Sequence, residues 1–340
     1  MTTNIELAGV DERARWERLH SPDGLPSQSW AHCWALSASG IAPKLAVVTR
    51  DDTRLLVPFF ERAFGETHDV ATVFGLSGLS VSGDGDVAPL FACWRDYARE
   101  QGWVAGYLQV SPLCGRPFGL PAGDVIVDNG NPMYIVDLDT ADPPRHASIR
   151  GNIRGAVSKG VALIHDRNIL VEALLRLWPA SPWRRNATAT YDFSQESLRR
   201  WALEPSTSIL GAGREGQVEA VTLCLVAGRH AEYLFNVSTE PGRAWSAFLL
   251  REMMGSLSGQ GIRWLNLGGG VRADDGLAQF KQRFGAIRRD VHSIRQVYDP
   301  TTFHALCEAA GVDDTGGRFP PYRYSLRPSM APPGNQVGDA

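Results

Sequence analysis

The densest chemical signal in the chain lies at residues 264–285. Trp264-Leu265-Asn266-Leu267 reads as a buried strand, and it runs into Gly268, Gly269 and Gly270, where bare backbone lets a ligand come close. After Asp274-Asp275 comes Gly276-Leu277-Ala278-Gln279-Phe280-Lys281-Gln282-Arg283-Phe284-Gly285. Residues 277–284 read as a short helix with Phe280 and Phe284 one turn apart on its inner face. That spacing sets Lys281 beside the buried stripe, where its ammonium can reach a cleft at the strand end. The other reading of the same residues is a plain turn with a solvated lysine. Lys44, Lys159 and Lys281 are the only lysines among the 34 Lys and Arg residues. Where arginine is used almost throughout, a retained lysine marks a place for a compact point charge, which a planar guanidinium does not supply.

Other glycine-bearing runs carry less. Gly75-Leu76-Ser77-Gly78-Leu79 has its last glycine misplaced for the elbow of a serine hydrolase. There is no P-loop, no strand-linked GxGxxG, and no Lys-Ser/Thr after the triple glycine.

The elements that must position these residues are α/β in style. Helices are expected over 11–20, 29–37, 86–101 (capped by Gly102), 169–178, 194–201, 243–258, 277–284 and 301–310. Strands are expected over 45–48, 55–60, 107–110, 133–138, 218–226, 230–237, 262–267 and 293–298, with hairpin turns at Asp51-Asp52 and Ala227-Gly228-Arg229. Pro58 marks its strand as an edge or an early end. Asp139-Thr140-Ala141-Asp142-Pro143-Pro144 is the clearest linker. For 340 residues two domains are expected. They fall at 1–145 and 146–300, with a C-terminal helix and extension over 301–326 packing back on the first domain and a disordered tail at 327–340. Both halves mix hairpins, a long helix and further strands, which suggests a duplicated unit without a strong sequence repeat.

Composition narrows the class. Hydrophobic residues make up 44% and charged residues 21%, enough for a real core. No apolar run approaches the ~20 residues of a membrane span, and Met1-Thr2-Thr3-Asn4-Ile5-Glu6 lacks a signal-peptide pattern, so a cytoplasmic protein is expected. Cys33, Cys93, Cys114, Cys224 and Cys307 are dispersed without a CxxC pair, and the eight histidines form no HExxH, so neither a disulfide framework nor a metal site is proposed. A formal charge of −3 excludes a chain basic all over but leaves room for a local basic groove.

Residues 276–285 resemble the Gly-Leu-x-x-Phe-Lys-x-x-Phe-Gly signature of the Fem family, acyltransferases built from two GNAT-like domains. Ser148-Ile149-Arg150-Gly151-Asn152-Ile153-Arg154-Gly155-Ala156-Val157-Ser158-Lys159-Gly160-Val161 is similar to that family's arginine-rich helix opening the second domain. Ala231-Glu232-Tyr233-Leu234-Phe235-Asn236 resembles its central strand, and Ser29-Trp30-Ala31-His32-Cys33-Trp34 its first helix. The resemblance implies two tandem GNAT-like domains, each a mixed, mostly antiparallel sheet flanked by helices. It also implies amide formation between an amine and an activated acyl group, with no cofactor. The family lysine matching Lys281 sits near the reacting ester carbonyl, where a fixed ammonium in a dry cleft stabilises the oxyanion; losing one such donor costs ~2.7–4 kcal/mol. Carried over in the same way, Arg150, Arg154, Gly268, Gly269, Gly270, Phe280, Arg283 and Phe284 fall on the donor side. Arg185, Tyr191, Tyr233, Asn236, Asn266 and Ser111 fall on the acceptor side. Members with a peptidoglycan acceptor carry an aspartate where Leu108-Gln109-Val110-Ser111-Pro112 has Ser111, and a serine hydroxyl is too weak a base to replace it. This favours a different small amine as acceptor.

Two donors remain open. The Arg/Gln-x-x-Gly-x-Gly/Ala loop that cradles the pyrophosphate of acyl-CoA is absent, with only near misses such as Arg62-Ala63-Phe64-Gly65-Glu66-Thr67. For an aminoacyl-tRNA donor, Arg145, Arg150, Arg154 and Lys159 on one helix and Arg283, Arg288 and Arg289 after the lysine are candidate phosphate contacts, or else solvated charged faces. The expectation is a tRNA-dependent aminoacyl transferase acting on a small amine-bearing metabolite or peptide precursor of natural-product or cell-wall type, without DNA or membrane-span partners. A CoA-dependent N-acyltransferase and a silent binding module of the same fold are the alternatives.

Overall fold

The computed structural model describes residues 2–22, 24–114, 120, 122–140, 146–181, 192–270, 275–312 and 318–324. The first run of elements is β1 (Asn4–Gly9), α1 (Arg13–His20), α2 (Trp30–Ser37), β2 (Lys44–Arg50), β3 (Thr53–Phe64), β4 (Thr67–Thr72), β5 (Ser80–Ser82), α3 (Ala88–Glu100), β6 (Ala105–Gln109), β7 (Val125–Asp128) and β8 (Met133–Asp137). The second is α4 (Ala147–Ser158), β9 (Ala162–Ile164), α5 (Arg167–Leu177), α6 (Gln195–Leu203), β10 (Thr207–Arg214), β11 (Gln217–Ala227), β12 (His230–Ser238), α7 (Ser246–Gly259), β13 (Trp264–Gly269), α8 (Gly276–Gln282), β14 (Ile287–Arg289), β15 (His292–Val297) and α9 (Pro300–Ala310).

These strands form two sheets. One runs β1-β2-β3-β4-β6-β15-β7, with β5 also pairing β3, and the other runs β9-β10-β11-β12-β13-β8-β14. In each, the fourth and fifth strands are the parallel pair, β4 with β6 and β12 with β13. All other neighbours are antiparallel. A parallel pair needs a crossover, and α3 and α7 supply it in equivalent places. Among the described residues two α-helices likewise separate the first and second strands of each sheet. The expected mixed α/β architecture of two sheets flanked by helices is therefore what the chain adopts, and the unit is duplicated in topology.

Sheet membership departs from the expected boundaries at 145 and 300. β8 precedes residue 145 yet lies in the second sheet, and β15 precedes residue 300 yet lies in the first. The cause is a two-stranded ribbon that crosses between the sheets: β14 pairs β8, β15 pairs β7, and Asn129 N–H donates to Val291 O at 2.9 Å between them. Strand partners follow backbone hydrogen bonds and not proximity in the chain. The proline linker lies partly outside the described residues, as do Arg145, Arg185, Tyr191 and the tail at 327–340.

Pro58 stands inside β3, not at an edge or an end. Its carbonyl accepts from Val73 N–H at 3.2 Å, so its missing N–H faces the side where β3's partner changes from β5, ending at Leu56, to β4, starting at Phe59. Opposite Val73 that missing N–H would have donated to Val73 O, so one ladder bond is absent at this switch of partners.

One large apolar cluster joins the halves. Trp16, Cys33 and Leu36 from the first pack with Leu174, Trp178, Trp201 and Phe235 from the second. Inside it His32 is fully buried: its Nε2 lies 2.6 Å from Phe74 O, and Trp201 Nε1–H donates to its Nδ1 at 3.1 Å. That pattern fixes the neutral Nε2–H form, and burial lowers its pKa to about 4. The C-terminal turn, Phe319 and Tyr322, packs with Phe303 and Cys307 of α9 against Val104 and Ala105 of the first half. No helix among the described residues is long and apolar enough to cross a membrane.

Candidate active site

β12 and β13 pair over only three positions, the last being Glu232 with Asn266, although both strands run on. Beyond that point the backbone of β13 lacks a ladder partner on this side, and buried backbone groups must be satisfied some other way. Three side chains supply the bonds. Asn266 Oδ1 accepts from Gly268 N–H at 2.8 Å, Lys281 Nζ donates to Gly269 O at 2.6 Å, and Asn131 Nδ2 donates to Gly270 O at 2.8 Å.

Lys281 reaches this place because α8 is short and firmly started. Asp275 caps it, its Oδ1 accepting from Ala278 N–H at 2.8 Å. Phe280 and Phe284 meet edge to face at 5.1 Å, and Phe284 and Ala278 are buried in the second core. Lys281 is itself only 6% exposed, so it is not the solvated lysine of the alternative reading. Burial lowers its pKa to about 8, with Asp275 acting weakly the other way. An ammonium has three donors, and Gly269 O takes one.

Gly268 makes the close approach possible. Its φ is +71°, and a Cβ on it would stand 3.4 and 3.5 Å from the two Leu76 methyls and 3.8 Å from Lys281 Nζ. The Leu76 side chain and the ammonium thus converge on one face of this glycine.

Glu232 was not among the residues singled out from the sequence, and it is the most unusual group here. It is a fully buried carboxyl that, among the described residues, has no cation beside it and bonds only to the first half. Leu76 N–H donates to its Oε2 at 2.9 Å, and the Ser27 and Ser77 hydroxyls donate to its Oε1. Burial pushes its pKa up, and those donors pull it back. The available signal was a carboxylate inside the apolar stretch Ala231-Glu232-Tyr233-Leu234-Phe235, since a charge in a buried strand calls for a reason. Leu76, Ser27 and Asn131 had no comparable signal.

The other expected residues divide. Ser111 is buried and lines, with Glu232, Ser77 and Asn266, a cavity of about 10 Å³, roughly the space of one water. Its Oγ accepts from Leu113 N–H at 3.3 Å. Tyr233 and Asn236 bond to each other at 2.8 Å, and burial pushes the Tyr233 hydroxyl up to about 12. Among the described residues no contact joins that pair to Lys281. Arg150, Arg154 and Arg283 are exposed, with Arg154 Nε donating to Arg150 O at 3.4 Å.

Comparison with known proteins places the fold. No family model and no curated protein matches the sequence. The structure of FemX superposes with a TM-score of 0.63 at 12% identity, covering 90% of this chain and 99% of that one. L-PGS from Bacillus licheniformis gives 0.57 at 15% identity, covering 85% and 94%. A conserved protein of unknown function from Bacteroides thetaiotaomicron VPI-5482 gives 0.58 at 11% identity, covering 87% and 100%. The chain shares the fold of FemX and L-PGS, as the resemblance at 276–285 implied.

Proposed function

We propose that the protein is an aminoacyl transferase that joins the amino acid of an aminoacyl-tRNA to the amine of a small metabolite or peptide precursor. The observation that carries this reading is the Lys281 ammonium, buried at the parted end of β13 with, among the described residues, two donors to spare. In aminolysis of an ester the amine nitrogen bonds to the carbonyl carbon, the carbonyl oxygen gathers negative charge, and the ester C–O bond then breaks. The amine's proton leaves with the departing oxygen. A fixed ammonium in a water-poor site stabilises that oxyanion more than it stabilises the neutral ester. Gly268, Gly269 and Gly270 leave the backbone bare where the ester would lie. The exposed Arg150, Arg154 and Arg283 support a polyanionic donor. Ser111, its hydroxyl engaged in a turn, supports an acceptor whose amine arrives already deprotonated.

The test is transfer of radiolabel from a mixed pool of charged tRNAs to a panel of small amines, identified by which amino acid is consumed. Lys281→Ala is expected to lower kcat by 10²–10³-fold, the cost of one oxyanion donor. Unchanged turnover in that variant overturns the role of Lys281. Transfer from acyl-CoA but never from charged tRNA overturns the donor, and inactivity with every donor favours a binding module.

A further inference from the structure

Among the described residues Glu232 has no partner of opposite charge and holds nothing of its own half through its carboxyl, and it is not exposed to solvent. Its hydrogen bonds run to the turn at Ser27 and to the loop at 74–79. That loop leaves the end of β4 and returns to its own sheet at Leu79, whose N–H donates to Gln109 O at 2.7 Å. The stretch between is extruded toward the second half. Its tip is Leu76, whose backbone bonds Glu232 and whose side chain lies over Gly268, beside Lys281 Nζ. A carboxyl on one strand is therefore bonded to the loop whose side chain meets the same face of Gly268 as the ammonium at the end of the next.

We propose that Glu232 is a positioning residue for Lys281: its carboxyl anchors the 74–79 loop, so that Leu76 keeps water off the ammonium on the open face of Gly268. A dry ammonium interacts with a developing oxyanion far more strongly than a hydrated one, because attraction between charges grows as the local dielectric falls. Among the described residues the charged groups on the elements around Lys281 are two. Asp275 lies on its own helix and Glu232 on β12, while β13 and the 74–79 loop carry none. The value of the cover to catalysis rests on the transferase reading, whereas the cover itself does not.

The experiment reads the lysine directly. Protein made with lysine labelled with ¹³C at Cε shows only three lysine side chains, Lys44, Lys159 and Lys281, which single substitutions assign. NMR titration of the full chain is expected to give Lys281 a midpoint near 8. In Glu232→Ala and in Leu76→Ala the midpoint should rise by more than one pH unit toward the ordinary ~10.4 of a hydrated lysine. Glu232→Gln should hold the wild-type midpoint, because its amide oxygen can still accept from Leu76 N–H while its NH₂ donates to a serine hydroxyl. Should Glu232→Ala fail to fold, Leu76→Ala tests the same cover with the anchor intact. Midpoints within a few tenths of wild type in the foldable variants overturn the proposal, whatever the transfer assay gives. A raised midpoint together with unchanged turnover in Lys281→Ala keeps the proposal and removes the transferase role.

Discussion

Replacing Lys281 by methionine should make the folded protein more stable and the site inert. Moving a lysine from its ordinary 10.5 to about 8 corresponds, at about 1.4 kcal/mol per tenfold change in proton affinity, to about 3 kcal/mol against the charged form. Methionine matches the length and removes the charge, but it leaves Gly269 O without its donor, which costs about 1–3 kcal/mol. Near pH 7 the variant is therefore expected to be more stable by about 1 kcal/mol. The pH dependence is more telling. Below about pH 8 the folded lysine is charged and bears the full cost of burial. The unfolded chain keeps its proton up to ~10.4, so between those values unfolding takes up a proton and wild-type stability rises with pH. The variant has no such group. The stability difference should swing by about 3 kcal/mol toward wild type from pH 7 to 10.5 and change sign on the way. Urea unfolding of both proteins across that range, followed by circular dichroism, measures it. A difference that stays flat with pH would refute the idea that a charged lysine is buried at the strand end.

His32 predicts the opposite limb. It is neutral in the folded protein with a pKa of about 4, while the unfolded chain protonates near 6.5. Wild type should thus lose about 3 kcal/mol as pH falls from 6.5 to 4. His32→Gln should flatten that slope in urea titrations, although it starts less stable for want of a ring in the aromatic cluster. Gly268→Ala should cost about 1–2 kcal/mol for a non-glycine residue in the left-handed region, and the ¹³C titration should then show Lys281 displaced as well. Thiol titration of the native protein should find the exposed Cys114 first and the half-buried Cys93 more slowly. Cys33 and Cys224, whose thiols burial pushes up, should appear only on unfolding.

What the sequence revealed follows from how local each cause is. Hairpins such as β2–β3 and β11–β12 were legible because alternation and turn residues sit within one stretch. The lysine site was legible because strand, glycines and aromatic pair are contiguous. β4 was not, since its His68 and Asp69 break the apolar pattern. Asp69 is buried only because Arg62, Arg323 and Tyr322 bond to it, and the last two arrive from the far end of the chain. β10 was obscured by Gly211 and Gly213, whose added Cβ atoms would collide with the Leu170 side chain and Gln217 O. The exchange of β8 and β15 between sheets, and the anchoring of Leu76 by Glu232, are contacts between distant segments that no local pattern encodes.

Duplication explains why Lys281 stands in one half while the loop that reaches toward it comes from the other. In each sheet the parallel pair parts near its middle, which leaves backbone groups that need partners. In the first sheet the gap is closed by its own chain. After β4 the polypeptide loops out and comes back at Leu79, which pairs Val110 and bonds both Gln109 and Ser111. Gly78 is required at that return, with φ +62° and Gln109 O against the space a side chain would occupy. In the second sheet no described strand re-enters, and the groups beyond Asn266 are met by Asn266, Lys281 and Asn131 instead. The residues extruded in closing the first gap are the ones that reach the second. A lysine held there at a cost in stability, beneath a loop held by a carboxyl that is also costly to bury, is better explained by a working site than by packing.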